Sequence, residues 1–360
     1  MQMSLGEQLR LTLYGSSHGP HVGAVLNGLP EGIVLDEVGL KTAMEMRKPG
    51  GPYSSQRKEA DEVLWLSGLV NGVSNGDPVE CRIKNSDVRS KDYGFLPDHP
   101  RPGHQDMVMM LKTDGKADLR GGGTSSARMT APLVAMAALL RPWIAQKGVD
   151  FRAHVGAIGT VEARPLNDCP PTLESEDSQH MRCYDPIAAQ AMTELITSYR
   201  KQRDSIGSRV DLVVNGLPLG VGEPWFDGLE PALARAMLSI PAARGVQFGH
   251  GFGVQTMTGS EHNSAWGGTS EAPVMEGERP DGALAGLSTG SPIHVSVAFK
   301  PPSSIPQTQM TLNMKTNQQE PLTVKGRHDP VLAPRAVAVV EAMAILVVSD
   351  LMIRGGFLDG

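Results

Sequence analysis

The 360 residues carry a formal net charge of −6 and are 40% hydrophobic. This excludes a globally basic nucleic-acid binder and supplies enough apolar area for a large core. Aromatics make up only 4%, so that core has to be built from Leu, Val, Ile, Ala and the 18 methionines. Cys81, Cys169 and Cys183 are scattered and form no CxxC pair, which excludes a disulfide framework and a zinc module.

In chain order, Met1 to Arg10 is polar and lacks the apolar core of a secretory signal. Together with the lone cysteines it sets the expectation of a cytoplasmic protein with reduced thiols. Gln8 to Tyr14 alternates apolar and polar and reads as a strand. It runs through Gly15-Ser16-Ser17-His18-Gly19 into a second strand, Val22 to Leu26, which puts His18 in a tight loop between strands. Asp36 to Met46 has helical spacing and ends at Arg47-Lys48-Pro49-Gly50, the start of a cationic loop that includes Arg57. Taken alone, that loop reads as a solvated basic surface. Val63 to Leu69 and Pro78 to Ile83 read as strands, and Asn85 to His99 as loop.

The stretch from Arg101 to Arg128 holds the densest chemistry. It contains Arg101-Pro102-Gly103-His104, then Arg120-Gly121-Gly122-Gly123-Thr124-Ser125-Ser126-Ala127-Arg128, before an apolar helix over Ala131 to Ile144. Three consecutive glycines allow positive φ and close backbone approach. Hydroxyls at a helix start, where N–H groups lack partners, favour an anion.

Val149 to Val161 reads as strand, Glu162 to Asp185 as an irregular connection, Ile187 to Gln202 as helix and Val210 to Val214 as strand. Leu229 to Ile240 is helical, and Pro241 to Gly249 is a turn into a strand. Gly259 to Gly290 is a long polar, glycine-rich segment, which in a compact enzyme is usually functional or mobile. Pro292 to Phe299 is a strand that delivers Lys300-Pro301-Pro302-Ser303-Ser304. After another loop come Lys325-Gly326-Arg327-His328-Asp329-Pro330 and Arg335. The final apolar run, Ala336 to Ile353, carries Glu341 and Asp350, which fits a buried helix better than a membrane span. With no linker or composition break, the elements predict one domain over residues 1–360, an α+β fold of antiparallel sheets covered by helices.

Loops 15–19, 47–58, 101–128, 300–304 and 325–335 together offer His18, His104 and His328 as proton carriers and Asp329 as a base. They also offer Arg47, Lys48, Arg57, Arg120, Arg128, Lys300, Arg327 and Arg335 as cations. So many loop cations in a net-acidic chain point to a small phosphate- or carboxylate-bearing ligand. The pattern is that of an enzyme using histidine acid–base chemistry on an anionic metabolite. Residues 15–19 formally match G-x-S-x-G, but only 14 residues precede them, too few for the sheet that carries a hydrolase elbow. The glycine loop is neither a Walker motif nor a dinucleotide fingerprint, and no metal-ligand spacing occurs.

With these motifs in this order, the sequence resembles chorismate synthase from about Leu9 to Asp350. Arg89-Ser90-Lys91-Asp92-Tyr93, Asp204-Ser205-Ile206-Gly207 and Ser239-Ile240-Pro241-Ala242 add to the match. The resemblance implies a homotetramer of a β-α-β sandwich fold in the pathway to aromatic amino acids. It implies conversion of 5-enolpyruvylshikimate 3-phosphate to chorismate by loss of phosphate and a C6 hydrogen. Reduced FMN is required without net oxidation, and NADP is an associated nucleotide. By position, His18 and His104 would be proton donors near phosphate and flavin, and Asp329 would act with the flavin in removing the C6 hydrogen. Thr124, Ser125, Ser126, Ala242, Gly286, Lys300, Ser303, Ser304 and Arg327 would contact FMN. Ser17, Lys48, Arg57, Arg128 and Arg335 would bind substrate. No nucleic acid, membrane or metal is implied, and reduced flavin is expected from an outside source.

The chain departs from the family pattern in places. Ser16 stands where Glu is usual, Lys48 where Arg is usual, and Thr124 where Arg is usual; residues 281–288 match a glycine-rich run poorly. Lys48 keeps charge but loses the bidentate fork. A flavin- or phosphate-binding homologue with altered catalysis is the alternative reading.

Overall fold

The alternating N-terminal segments form an antiparallel sheet of β1 (Ser4–Leu5), β2 (Arg10–Gly15), β3 (His21–Asn27), β4 (Val63–Ser67) and β5 (Val79–Lys84). Its spatial order is β1-β2-β3-β5-β4. The structure, a computed structural model, describes residues 3–48, 60–86, 93–277, 279–326 and 328–359. Val22, Ala24 and Leu26 on β3 and Val79, Cys81 and Ile83 on β5 fall at alternate positions and are all buried, as one core-facing side of a pleated sheet demands. The second sheet contains β6 (Asp150–Ile158), β7 (Val161–Glu162), β8 (Ser208–Asn215), β9 (Ala243–Phe248) and β10 (Ile293–Phe299). Its order is β9-β10-β8-β6-β7, again antiparallel.

The helices start where the sequence supplies caps. α1 (Glu37–Arg47) begins at Asp36, whose carboxylate accepts the Val38 and Gly39 N–H groups. α2 (Asp106–Lys112) precedes the glycine loop, and α3 (Thr130–Ala145) follows it. After α4 (Glu176–Met181) comes α5 (Pro186–Lys201), capped by Asp185 with proline at its first position. α6 (Leu229–Ser239), α7 (Gly259–His262) and α8 (Ala333–Arg354) complete the set among the described residues. α3 packs on β3 and β5, α8 packs on β6 and β8, and the two helices pack on each other. The layers are therefore sheet, helices, sheet, around one continuous apolar cluster.

Both central helices are apolar all round, the signature of a helix buried on every side. α8 is long and apolar enough to cross a membrane, but 89% of its most apolar window is buried within the protein. Its two acids join it to its surroundings. Glu341 accepts from Arg141 at 2.6 Å and from the Ala153 N–H at 3.0 Å. Asp350 accepts the N–H groups of Gln8 and Leu9 at 2.9 and 2.8 Å, tying down the turn before β2.

The structure adds elements that the pattern had not marked. α2 and α4 are too short for a helical period to stand out. The stretch between Ser304 and Lys325, read as loop, contains the hairpin β11 (Thr308–Asn313) and β12 (Gln318–Thr323). One face of that hairpin is exposed and carries Met310 and Leu312, while the other is partly buried but mostly polar, with Gln309, Thr311, Asn313 and Glu320, so its burial leaves no apolar alternation to read. Residues 259–290 hold α7 and two short hairpins, Trp266–Gly268 with Pro273–Met275 and Ala283–Leu284 with Leu287–Ser288. The cysteines are free and buried, and burial pushes the Cys81 and Cys183 thiols up to about 12.

His154 on β6 is fully buried, and its Nε2 has no hydrogen-bond partner among the described residues. Burial pushes its imidazole down from the ordinary value to about 4. The unfolded chain, with a pKa near 6.5, therefore binds more protons between about pH 6.5 and 4. The stability linked to His154 is full above that window and is lost as pH falls through it. A shift of this size corresponds to roughly 3 kcal/mol at most. Thermal melts from pH 7 to 4.5 should show the midpoint falling, with a shallower fall in His154→Phe. Parallel curves for the two proteins would contradict this.

Candidate active site

Strand β2 ends at Gly15, whose φ is +93°. A Cβ there would lie 2.4 Å from the His21 carbonyl oxygen, so glycine is needed for the turn. Asn85 fastens the turn by donating to the carbonyls of Ser16 at 3.0 Å and Gly19 at 2.8 Å. The Ser17 N–H donates to the Gly123 carbonyl at 3.1 Å, which joins this turn to the glycine loop. Ser17 Oγ lies 3.2 Å from His18 Nδ1, and the His18 ring packs edge-on to Tyr93.

Gly121 sits against both residues with φ +61°. A Cβ at this position would lie 2.6 Å from His18 Cε1 and 2.9 Å from Ser17 Oγ. Gly121→Ala should therefore displace the His18 ring and cut turnover by roughly 10²-fold, the scale of an ångström-level misplacement. Steady-state kinetics beside a thermal melt checks this; unchanged turnover would show that His18 does not need this position.

A second cluster lies on the other side of the glycine loop. Arg101 grips Asp106 with Nε and Nη2, each at 2.7 Å, and donates from Nη2 to the Gly121 carbonyl at 2.8 Å. His104 Nδ1 lies 2.7 Å from Asp106 Oδ1. Burial alone would raise the Asp106 carboxyl, but the hydrogen bonds from Arg101 and His104 outweigh it and hold the group well below the usual range. The Gly103 carbonyl, next to His104, accepts from Lys300 Nζ at 2.7 Å and Ser303 Oγ at 2.8 Å. Burial and the neighbouring Arg244 lower the Lys300 ammonium from its ordinary value.

The third cluster is a cationic network, buried at Arg47 and Arg128 and half-buried at Arg182 and Arg335. Arg47 and Arg128 both pair with Asp61, and Arg128 also donates to Asn85 Oδ1 at 2.8 Å and the Lys84 carbonyl at 3.0 Å. Arg335 pairs with Asp329 at 2.7 Å and donates to the Arg47 carbonyl at 3.4 Å. Arg182 donates to the carbonyls of Pro334 and Glu45. Burial, joined by the neighbouring arginines, lowers Arg47 to about 10; burial and Arg335 do the same to Arg182. Among the described residues four guanidinium groups gather here with the carboxylates of Asp61 and Asp329, a concentration of positive charge that favours an anion. Through Asn85 the network reaches the His18 turn, so a hydrogen-bonded path runs from Asp329 to that turn.

A family model described as chorismate synthase matches residues 9–353. The chain belongs to the chorismate synthase family. The chorismate synthase of Aeropyrum pernix is 42% identical over 351 residues, covering 97% of this chain and 92% of the relative. That of Methanosarcina barkeri is 41% identical over 355 residues, covering 98% and 97%. A solved structure titled as the crystal structure of chorismate synthase shares the fold, with a TM-score of 0.73 at 24% identity, covering 98% of this chain and 94% of that one. The enzyme class follows with the family, a phosphate-eliminating lyase of the route to aromatic amino acids.

Of the residues expected from the family, the structure links several by hydrogen bonds. Ser17 and His18 sit in the turn at 15–19, which Arg128 reaches through Asn85; Arg335 and Asp329 form a pair; and Lys300 and Ser303 bond the Gly103 carbonyl next to His104. Ala242, with φ +71°, accepts the Lys300 N–H at 3.0 Å. Ser304 and Asp329 line one cavity of about 160 Å³. Thr124, Ser125 and Ser126 line another of about 360 Å³, with Arg235, Ser239 and Pro241. Lys48 directly follows α1.

Gly286 is not brought to this region within the chain. It packs on Glu223 and Gly228 at the N-terminal end of α6, whereas Ala242 lies just beyond the C-terminal end, about 16 Å along the helix axis. Arg57 and Arg327 lie outside the described residues. Asp61, Asn85, Arg182 and Arg235 lie outside the motifs that composition picks out, whereas Arg101 and Asp106 flank His104 in one of them.

Proposed function

We propose that the chain converts 5-enolpyruvylshikimate 3-phosphate to chorismate and phosphate, with reduced FMN required and no net oxidation. The observation that carries this is the cationic network of Arg47, Arg128, Arg182 and Arg335, buried at Arg47 and Arg128, set beside Asp329 and linked to the His18 turn. It suits a compact substrate bearing a phosphate and carboxylates.

The residues present fit the flavin. The cavity at Thr124–Ser126 has an apolar wall of Leu11, Leu13, Met129, Leu133 and Met343, a set of hydroxyls, and the guanidinium-bearing Arg235 at its edge. A flat heteroaromatic ring with an anionic tail needs this combination, and Arg235 brings to the cavity a cation that Thr124 lacks. Thr124, Ser125, Ser126, Ala242, Lys300, Ser303, Ser304 and Arg327 would hold the cofactor, with Gly286 contributing only if another part of the assembly supplies it. When bound, reduced FMN supplies the electron density needed to start loss of the allylic phosphate, the chemistry side chains do not offer. Ser17, Lys48, Arg57, Arg128 and Arg335 would bind the substrate anions, His18 and His104 would donate protons, and Asp329 would serve as the base for the C6 hydrogen. One C–O bond and one C–H bond break, a carbon–carbon double bond forms, and the redox level is unchanged.

A cytoplasmic homotetramer is part of this reading. The free cysteines support the location, and the exposed Trp225, Phe226 and Phe252, at 81%, 89% and 83% exposure, support association. The test is to mix purified protein anaerobically with reduced FMN and the substrate. Chorismate and phosphate should rise together. Tight binding of both ligands without product would instead favour a homologue that has lost catalysis.

A further inference from the structure

We infer that Asp106 is a positioning residue for His104, fixing the ring with Nδ1–H on the carboxylate and Nε2 directed to the reacting groups. The chemistry of proton donation by His104 rests on the proposed function, but the ring's tautomer does not.

Arg101 Nη2 carries two protons. It lies 2.7 Å from Asp106 Oδ1, 2.8 Å from the Gly121 carbonyl, 3.0 Å from His104 Nδ1 and 3.3 Å from the Leu119 carbonyl. The two shortest contacts use both protons on good acceptors. Neither Nη2 proton is left for His104 Nδ1, and Nη2 is the Arg101 nitrogen within reach of it. That nitrogen is also 2.7 Å from Asp106 Oδ1. Two lone pairs facing each other at that distance would repel, so Nδ1 carries the proton and donates it to Asp106.

Asp106 is built for this task. It is fully buried, and Oδ2 accepts the Arg101 Nε at 2.7 Å and backbone N–H at 3.0 Å. Its carboxylate therefore receives four hydrogen bonds, a full set for a buried anion. It is also the first residue of α2. The His104 side chain keeps 21% of its surface exposed, and among the described residues nothing bonds its Nε2. A ring locked this way in one tautomer by a buried carboxylate is the arrangement used by histidine acid–base catalysts.

The first test needs no variant. Imidazole ¹⁵N spectra of the wild-type protein at high pH, with His104 assigned through His104→Gln, should show His104 with Nδ1 protonated and Nε2 free. An Nε2–H tautomer overturns the inference. The second test is a cycle of Asp106→Asn and His104→Ala with reduced FMN and substrate, each protein checked by thermal melt. Asp106→Asn should cut kcat by on the order of 10²-fold or more with substrate KM little changed. In the His104→Ala background it should cost little further, because the residue it positions is gone. Equal losses in both backgrounds would make Asp106 a merely structural residue and overturn the inference. Wild-type protein without turnover would count against the proposed function and leave the tautomer result standing.

Discussion

Asp329→Asn should fold, bind FMN and yet turn over roughly 10²–10⁴-fold more slowly, the range for loss of a positioned acid–base group. The substitution keeps the shape of the side chain and its ability to cap the turn before Pro330. It removes the negative charge that Arg335 holds at 2.7 Å. Arg335 is then released from its acidic partner, so attraction for an anionic substrate should be kept or strengthened. The expected signature is thus a fall in kcat without a rise in KM, which separates loss of a base from loss of binding. If the variant works at the wild-type rate, Asp329 is only the turn residue that an Asp-Pro pair often supplies.

His104→Ala and His18→Ala should each lower turnover by roughly 10²–10⁴-fold while leaving binding of FMN and substrate largely intact. The two should differ in structural cost. His104 is hydrogen-bonded into the Arg101 and Asp106 cluster, whereas His18 packs against Gly121 and Tyr93. Removal of His104 leaves the Arg101 grip on Asp106 in place, so its melt should change little. Near-normal kcat in both variants would leave them as histidines that merely line the loops.

Much of this site was legible because its groups sit in loops with unusual composition. The glycine run before Thr124, the His18 turn between two alternating strands, and the cations at 300 and 325–335 all announce themselves in one dimension. The strands and the long apolar helices were legible for the same reason, since burial on one face or on all faces leaves a period in the sequence. What stayed hidden depends on approach in space. Asp61 looks like any acid before a strand until α1 and the turn before α3 bring Arg47 and Arg128 onto it. Arg182 reads as a residue in an irregular connection, and only the fold carries it to Pro334. The β11–β12 hairpin left no trace because its partly buried face is mostly polar and its exposed face carries Met310 and Leu312. Gly286 shows the converse: a family motif placed it among cofactor contacts, but within one chain α6 separates it from Ala242.

The most direct test of the central claim is the flavin spectrum during anaerobic turnover, recorded with product counts. The expected result is one chorismate and one phosphate per substrate consumed, many turnovers per flavin, and a flavin still reduced when substrate is exhausted. Turnover with oxidised FMN and no reductant, or one flavin oxidised for each product formed, would contradict it.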